Sequence, residues 1–141
     1  MKKDIRWIQR LRNFTKALSN LNEVLALSDK RELNKFEKLG LIHAFEIVHE
    51  HSWSILKDYF TYQGETEIRG SRDTYRLAFN RGLIADGQLF MKIIESRQLT
   101  SHSYNEDTAE EIFADVKALF TPAFNALSDP FQSFVERENA Q

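Results

Sequence analysis

Trp7, Leu11, Phe14, Leu18, Leu21 and Leu25 step by four and three through the first part of the chain. A strand, with its side-chain period of two, would scatter these residues over both faces, whereas an α-helix gathers them into one seam. A chain that repeats this spacing must bury helix against helix. The spacing predicts a first helix over about residues 4–27. A polar link at 28–32 follows. Leu41, Phe45, Val48, Ser52, Ile55 and Tyr59 then repeat the pattern, with Ile42, His49, Trp53, Leu56 and Phe60 as a second stripe beside them. They predict a second long helix over about 33–62.

Only 5 Gly and 2 Pro punctuate 141 residues, so long uninterrupted elements are expected. Gly64 and Gly70 bracket a polar loop. Asp73 is placed to cap a short helix reaching Arg81, which Gly82 would end in a left-handed conformation. Asp86 would cap a helix through Leu89, Phe90, Ile93 and Ile94 that fades around Arg97 or Gln98. Asn105-Glu106-Asp107-Thr108 supplies cap residues and acidic first-turn charge for the last long helix. Thr121-Pro122 and Asp129-Pro130 each read as an N-cap followed by proline at the first helical position, so the C-terminal third is expected to be broken or kinked.

That third carries two apolar stripes. Ile112, Val116, Leu119, Ala123 and Ala126 form one; Phe113, Phe120, Phe124, Leu127, Phe131 and Phe134 form the other. A helix packed on one neighbour needs a single stripe. The second implies either a helix sandwiched within the bundle or a surface for a second copy or a partner. No strand pair, internal repeat or low-complexity tract occurs. The expectation is an all-α, up-and-down antiparallel bundle of about five helices, one domain over residues 1–141.

The formal net charge of -2 argues against the basic coat of a general nucleic-acid binder and leaves room for one local phosphate site. With no cysteine, disulfides and thiolate chemistry are excluded. Met1-Lys2-Lys3-Asp4-Ile5-Arg6-Trp7 is basic but leads into an amphipathic pattern rather than an apolar leader core. No run approaches ~18 apolar residues. A cytoplasmic protein without a membrane partner is expected.

Several chemistries are weighed by spacing. Glu46-x-x-His49 matches the pair used in di-iron bundles, but the chain has no second such pair. His49 and His51 are two apart and point to nearly opposite sides of a helix. With His43, they read as satisfied bundle histidines, and neither a metal nor a cofactor is expected. There is no Gly-x-Ser-x-Gly and no Gly-rich phosphate loop after a strand. Arg69, Arg72, Arg76 and Arg81 gather beside Gly70 and read as a solvated helix face before an RNA track.

Arg97-Gln98-Leu99-Thr100-Ser101-His102-Ser103-Tyr104 stands apart. It sets a permanent cation, an imidazole and a phenol together where a helix ends. A guanidinium fork matches phosphate oxygens, and an imidazole moves protons near neutral pH. Metal-free RNA cleavage needs both: a base for the 2'-hydroxyl, an acid for the leaving oxygen, and a cation for the phosphorane. On spacing alone the bland alternative also stands, with Arg97 complementing a helix C-terminus, His102 in a loop and Tyr104 packing.

The run resembles the HEPN superfamily motif of Arg, four to six residues, then His. More narrowly, it is similar to the HepT-like branch, also called nucleotidyltransferase substrate-binding proteins, in which Arg-x4-His-x-Tyr precedes an acidic helix start. Phe45-Glu46, Trp53, Lys57-Asp58-Tyr59, Arg76-Leu77-Ala78-Phe79 and Gly82-Leu83-Ile84-x-Asp86-Gly87 extend the likeness over nearly the whole chain. The resemblance implies a HEPN-like bundle that dimerises, bringing two Arg-His motifs to one cleft. It implies a toxin acting as a metal-independent endoribonuclease on RNA, with Arg97 and His102 catalytic. A minimal nucleotidyltransferase partner would adenylylate Tyr104 and so silence it. Gln98 stands where the family often carries Asn or Asp and is read as a supporting residue. The alternative is a non-catalytic substrate-binding subunit of a two-component nucleotidyltransferase.

Overall fold

The computed structural model describes residues 6–140, so the expected helix start near Asp4 lies outside the described residues. The six-residue seam is buried along α1 (Arg6–Lys30), which runs three residues past its expected end. Helix α2 (Lys35–Tyr62) begins two residues later than the apolar pattern suggested. Leu33 is buried, as that pattern required, but it precedes the cap rather than following it. Asn34 is the cap. Its side-chain oxygen accepts from the Glu37 N–H, and the Glu37 carboxylate accepts from the Asn34 N–H, each at 2.9 Å. Arg31 bonds the same carboxylate and holds it near a pKa of about 2.

Helix α3 (Gly70–Asn80) corrects one expectation. Asp73 is not its cap but lies inside it, reaching back to accept from the Arg69 N–H at 3.1 Å. The other end forms as expected. Gly82 has φ 78°, the Gly82 N–H donates to Phe79 O and the Leu83 N–H to Ala78 O. This paired closure needs a residue without a Cβ penalty at the turn. Asp86 caps α4 (Gly87–Leu99) by accepting from the Leu89 N–H. A 3₁₀ turn over Thr100–His102 continues it, and Asn105 caps α5 (Glu106–Asp115).

The C-terminal third does not break. Helix α5 passes through a π-helical turn, Val116–Phe120, into α6 (Thr121–Asn139). The Thr121 N–H reaches back five residues to Val116 O. Pro122 has no N–H, and its ring would crowd the carbonyl four residues earlier; the wider turn accommodates both. Pro130 is absorbed inside α6.

The π-turn also resolves the two stripes. Ile112 and Val116 are buried from the first, with Ala109 one turn before them, then Phe120, Phe124, Leu127 and Phe131 from the second. One extra residue in the turn moves burial from one stripe to the other, so a single continuous face meets the core. No aromatic stripe remains stranded in water.

Helix α1 packs along α2, α6 returns against α1, α5 against α2, and α3 and α4 pair with each other on the remaining side of α2. The centre is aromatic: Phe45 stacks on Phe120 at 5.5 Å, and Phe131 meets Tyr59 edge-on at 5.5 Å. Each such buried ring contributes about 1.5–3 kcal/mol. Among the described residues no helix is long and apolar enough to cross a membrane.

Candidate functional site

Arg97 occupies the last turn of α4, where its charge complements the helix C-terminus. Its side chain turns toward α2. Nη1 lies 3.3 Å from Glu46 Oε2, and Nε lies 3.7 Å from Glu50 Oε1. Nη1 also donates to Thr100 Oγ1 at 2.9 Å, while that hydroxyl donates to the Arg97 carbonyl at 2.7 Å. Thr100 is buried and clamps the guanidinium as the helix tightens into its 3₁₀ turn. Nε is buried and has no hydrogen bond of its own. Glu50 is shared, its second oxygen accepting from Trp53 Nε1 at 3.1 Å.

His102 and Tyr104 lie beyond this clamp on the surface. His102 Nδ1 is 3.4 Å from the Tyr104 hydroxyl, and the rings meet edge-on at 5.9 Å. Tyr104 is 76% exposed, so its phenol is open to a large partner. It borders a groove of about 260 Å³ whose walls include Lys35, Lys38, Leu39 and Glu110. Lys38 of α2 is ion-paired with Glu110 of α5 across that groove. Gln98 is exposed, and its backbone carbonyl accepts from Ser101 Oγ.

The structure thus brings His102 to Tyr104 but joins neither to Arg97. Among the described residues no hydrogen bond or ion pair links the guanidinium to the imidazole. Sequence reasoning missed the two carboxylates that hold Arg97. Glu46 and Glu50 are four apart on α2 and share a face, which was the available signal; read beside His49, Glu46 looked like half of a metal pair instead. His49 turns elsewhere. It is a buried core histidine whose Nδ1 is 2.9 Å from the Tyr75 hydroxyl, itself 2.5 Å from Ser52 Oγ. Burial, more than the nearby Arg97 charge, pushes the imidazole down to about 4, with Glu50 opposing. Burial likewise drives the Tyr75 phenol upward.

The sequence model of the family described as nucleotidyltransferase substrate-binding protein-like matches residues 9–133. A Haemophilus influenzae protein, HI0074, described as having the fold of a nucleotidyltransferase substrate-binding domain, superposes with TM-score 0.75 at 22% identity. That match covers 84% of this chain and 96% of HI0074. A Thermus thermophilus protein, ttk003001694, superposes with TM-score 0.69 at 29% identity, covering 82% of this chain and 92% of that one. No curated protein sequence matches significantly.

Proposed function

Because this chain belongs to the nucleotidyltransferase substrate-binding protein-like family, we propose that it is the substrate-binding subunit of a two-component nucleotidyltransferase, presenting Tyr104 as an acceptor to a separate catalytic chain. One observation carries the reading: the Tyr104 phenol is open and has His102 beside it, while Arg97 is occupied by Glu46, Glu50 and Thr100. A phenol in that setting suits attack on a nucleotide held by another protein. Its oxygen would bond to the α-phosphorus, the bond to the leaving pyrophosphate would break, and the phenolic proton would pass to a base such as His102.

A second reading keeps the same residues as a HEPN-type, metal-independent endoribonuclease toxin. The exposure of His102 favours it, since an imidazole on the surface is reachable by RNA. Arg97, His102 and the supporting Gln98 would then act on the scissile phosphate, and adenylylation of Tyr104 would silence them by bulk and charge. In both readings the working form is a homodimer in the cytoplasm.

One experiment separates them. The purified chain is incubated with its nucleotidyltransferase partner and ATP labelled at the α-phosphate, and separately with mixed RNA in EDTA. The first reading expects label on wild type, none on Tyr104→Phe, and intact RNA. RNA cleavage lost in His102→Ala would install the ribonuclease instead. No label and no cleavage would remove both.

A further inference from the structure

A larger groove lies on another side of the bundle, between α3 and the start of α4. It measures about 600 Å³, within the ~300–1,000 Å³ usual for small-molecule sites. Phe79, Arg76, Asn80, Gln88 and Met91 line it, with Asp86 and Gly87 at one end. Phe79 is 49% exposed, unusual for a phenylalanine that faces no partner. Its other side is fitted to Gly87, where an added Cβ would stand 3.2 Å from the ring. The glycine lets the ring lie against the start of α4 and leaves an aromatic surface toward the groove.

Among the described residues the charge around it is not balanced. Arg81 is ion-paired with Glu65, but among the described residues Arg76 and Arg72 have no acidic partner. Arg72 Nη1 rests only on Met91 Sδ, at 3.5 Å, which places its guanidinium on the groove's rim. Among the described residues the N–H groups of Gly87 and Gln88, in the first turn of α4, donate to no internal partner, whereas those of Leu89 and Phe90 are satisfied by Asp86. Asp86 is the single acid in the lining, and one of its oxygens is committed to that cap.

An open aromatic face, two amide side chains and the unpaired Arg76 guanidinium in one groove, with Arg72 beside its Met91 wall, match a base at one end and phosphates at the other. We propose that the groove between α3 and α4 binds a nucleoside polyphosphate, its base against Phe79 and its phosphates toward Arg76 and Arg72. The inference rests on the family reading for the class of substrate, and on this groove for the place.

Calorimetric titration of the full chain with ATP, inorganic triphosphate and adenosine tests it, beside Arg76→Glu and Phe79→Ala. Circular dichroism confirms that both variants, altered at exposed positions, remain folded. The expected result is ATP binding that weakens about tenfold or more in each variant. Binding of inorganic triphosphate should fall in Arg76→Glu and persist in Phe79→Ala. No ATP binding at millimolar concentration, or equal binding by all three proteins, overturns the proposal. ATP binding lost in Arg97→Ala and kept in the groove variants overturns it too, as does loss of the nucleotidyltransferase partner, without nucleotide binding, in those variants. Labelling of Tyr104 is read separately, so either result stands without the other.

Discussion

His49 shows how a single buried side chain ties stability to pH. The imidazole is 3% exposed, shares its Nδ1 with the Tyr75 hydroxyl, and is held down to about 4 mainly by burial. In the unfolded chain its pKa returns to about 6.5. The unfolded state therefore binds the proton first. His49 contributes fully above pH ~6.5 and loses its contribution as pH falls toward 4, a difference of about 3 kcal/mol. The nearby charges oppose each other, Glu50 raising and Arg97 lowering the affinity for a proton. Glu37, held near 2 by Arg31, adds a second loss that sets in as pH falls through the usual carboxylate range and is complete only near 2. Urea unfolding between pH 4 and 7 should show a steep decline in wild type and a flatter one in His49→Gln; parallel curves would refute the assignment. Arg97 makes a related point. It was legible as a charge at a helix end, but its partners, Glu46 and Glu50, lie far earlier in the chain on α2, a pairing that only the packed bundle creates.

At the scale of the element, α5, the π-turn and α6 form one helix whose buried face is read in two registers. Ala109, Ile112, Val116, Phe120, Phe124, Leu127 and Phe131 are buried, and their spacing runs three, four, four, four, three, four. Removing one residue between Val116 and Phe120 would restore alternating threes and fours and a regular α-helix. Pro122 opposes that, since proline within a regular helix costs about 3 kcal/mol. Deletion of exposed Ala118 together with Pro122→Ala should therefore leave the melting temperature close to wild type. Deletion of Ala126, equally exposed, lies outside the π-turn and rotates Leu127 and Phe131 off the core. Losing two such side chains costs on the order of several kcal/mol, enough to unfold a small domain. Thermal melts of the two deletions decide the matter: equal damage from both would show that the π-turn is not where the register changes. This is also why the C-terminal third of the chain was only half legible. Each stripe was visible in the sequence, because helical spacing is local. The offset joining them was not, because it is a backbone adjustment shared between a proline and the core it faces. The seams of α1 and α2, which carry no such offset, were read almost to their ends.

At the scale of the whole molecule, one face of α2 has no internal partner among the described residues. Phe36, Gly40, His43 and Ile47 follow each other at four, three and four, and all are exposed, Phe36 at 78%. Gly40 lies well inside the helix, and an added Cβ there would meet nothing within 4 Å. Glycine in a helix interior costs about 1 kcal/mol relative to alanine. Among the described residues no contact compensates for that cost. A second backbone crossing closely at Gly40 would, and a second copy of the same face satisfies the geometry with no further partner, as in a two-fold interface. For the proposed homodimer, the expected interface is this face of α2. Gly40→Leu would hold two helices apart, and Phe36→Asp would put a charge into the same apolar face. Sedimentation velocity should find wild type as a dimer and both variants as monomers with unchanged helix content. If wild type sediments as a monomer, the face serves some other contact. If Gly40→Ala raises the melting temperature and leaves the dimer intact, the interface lies elsewhere on the bundle.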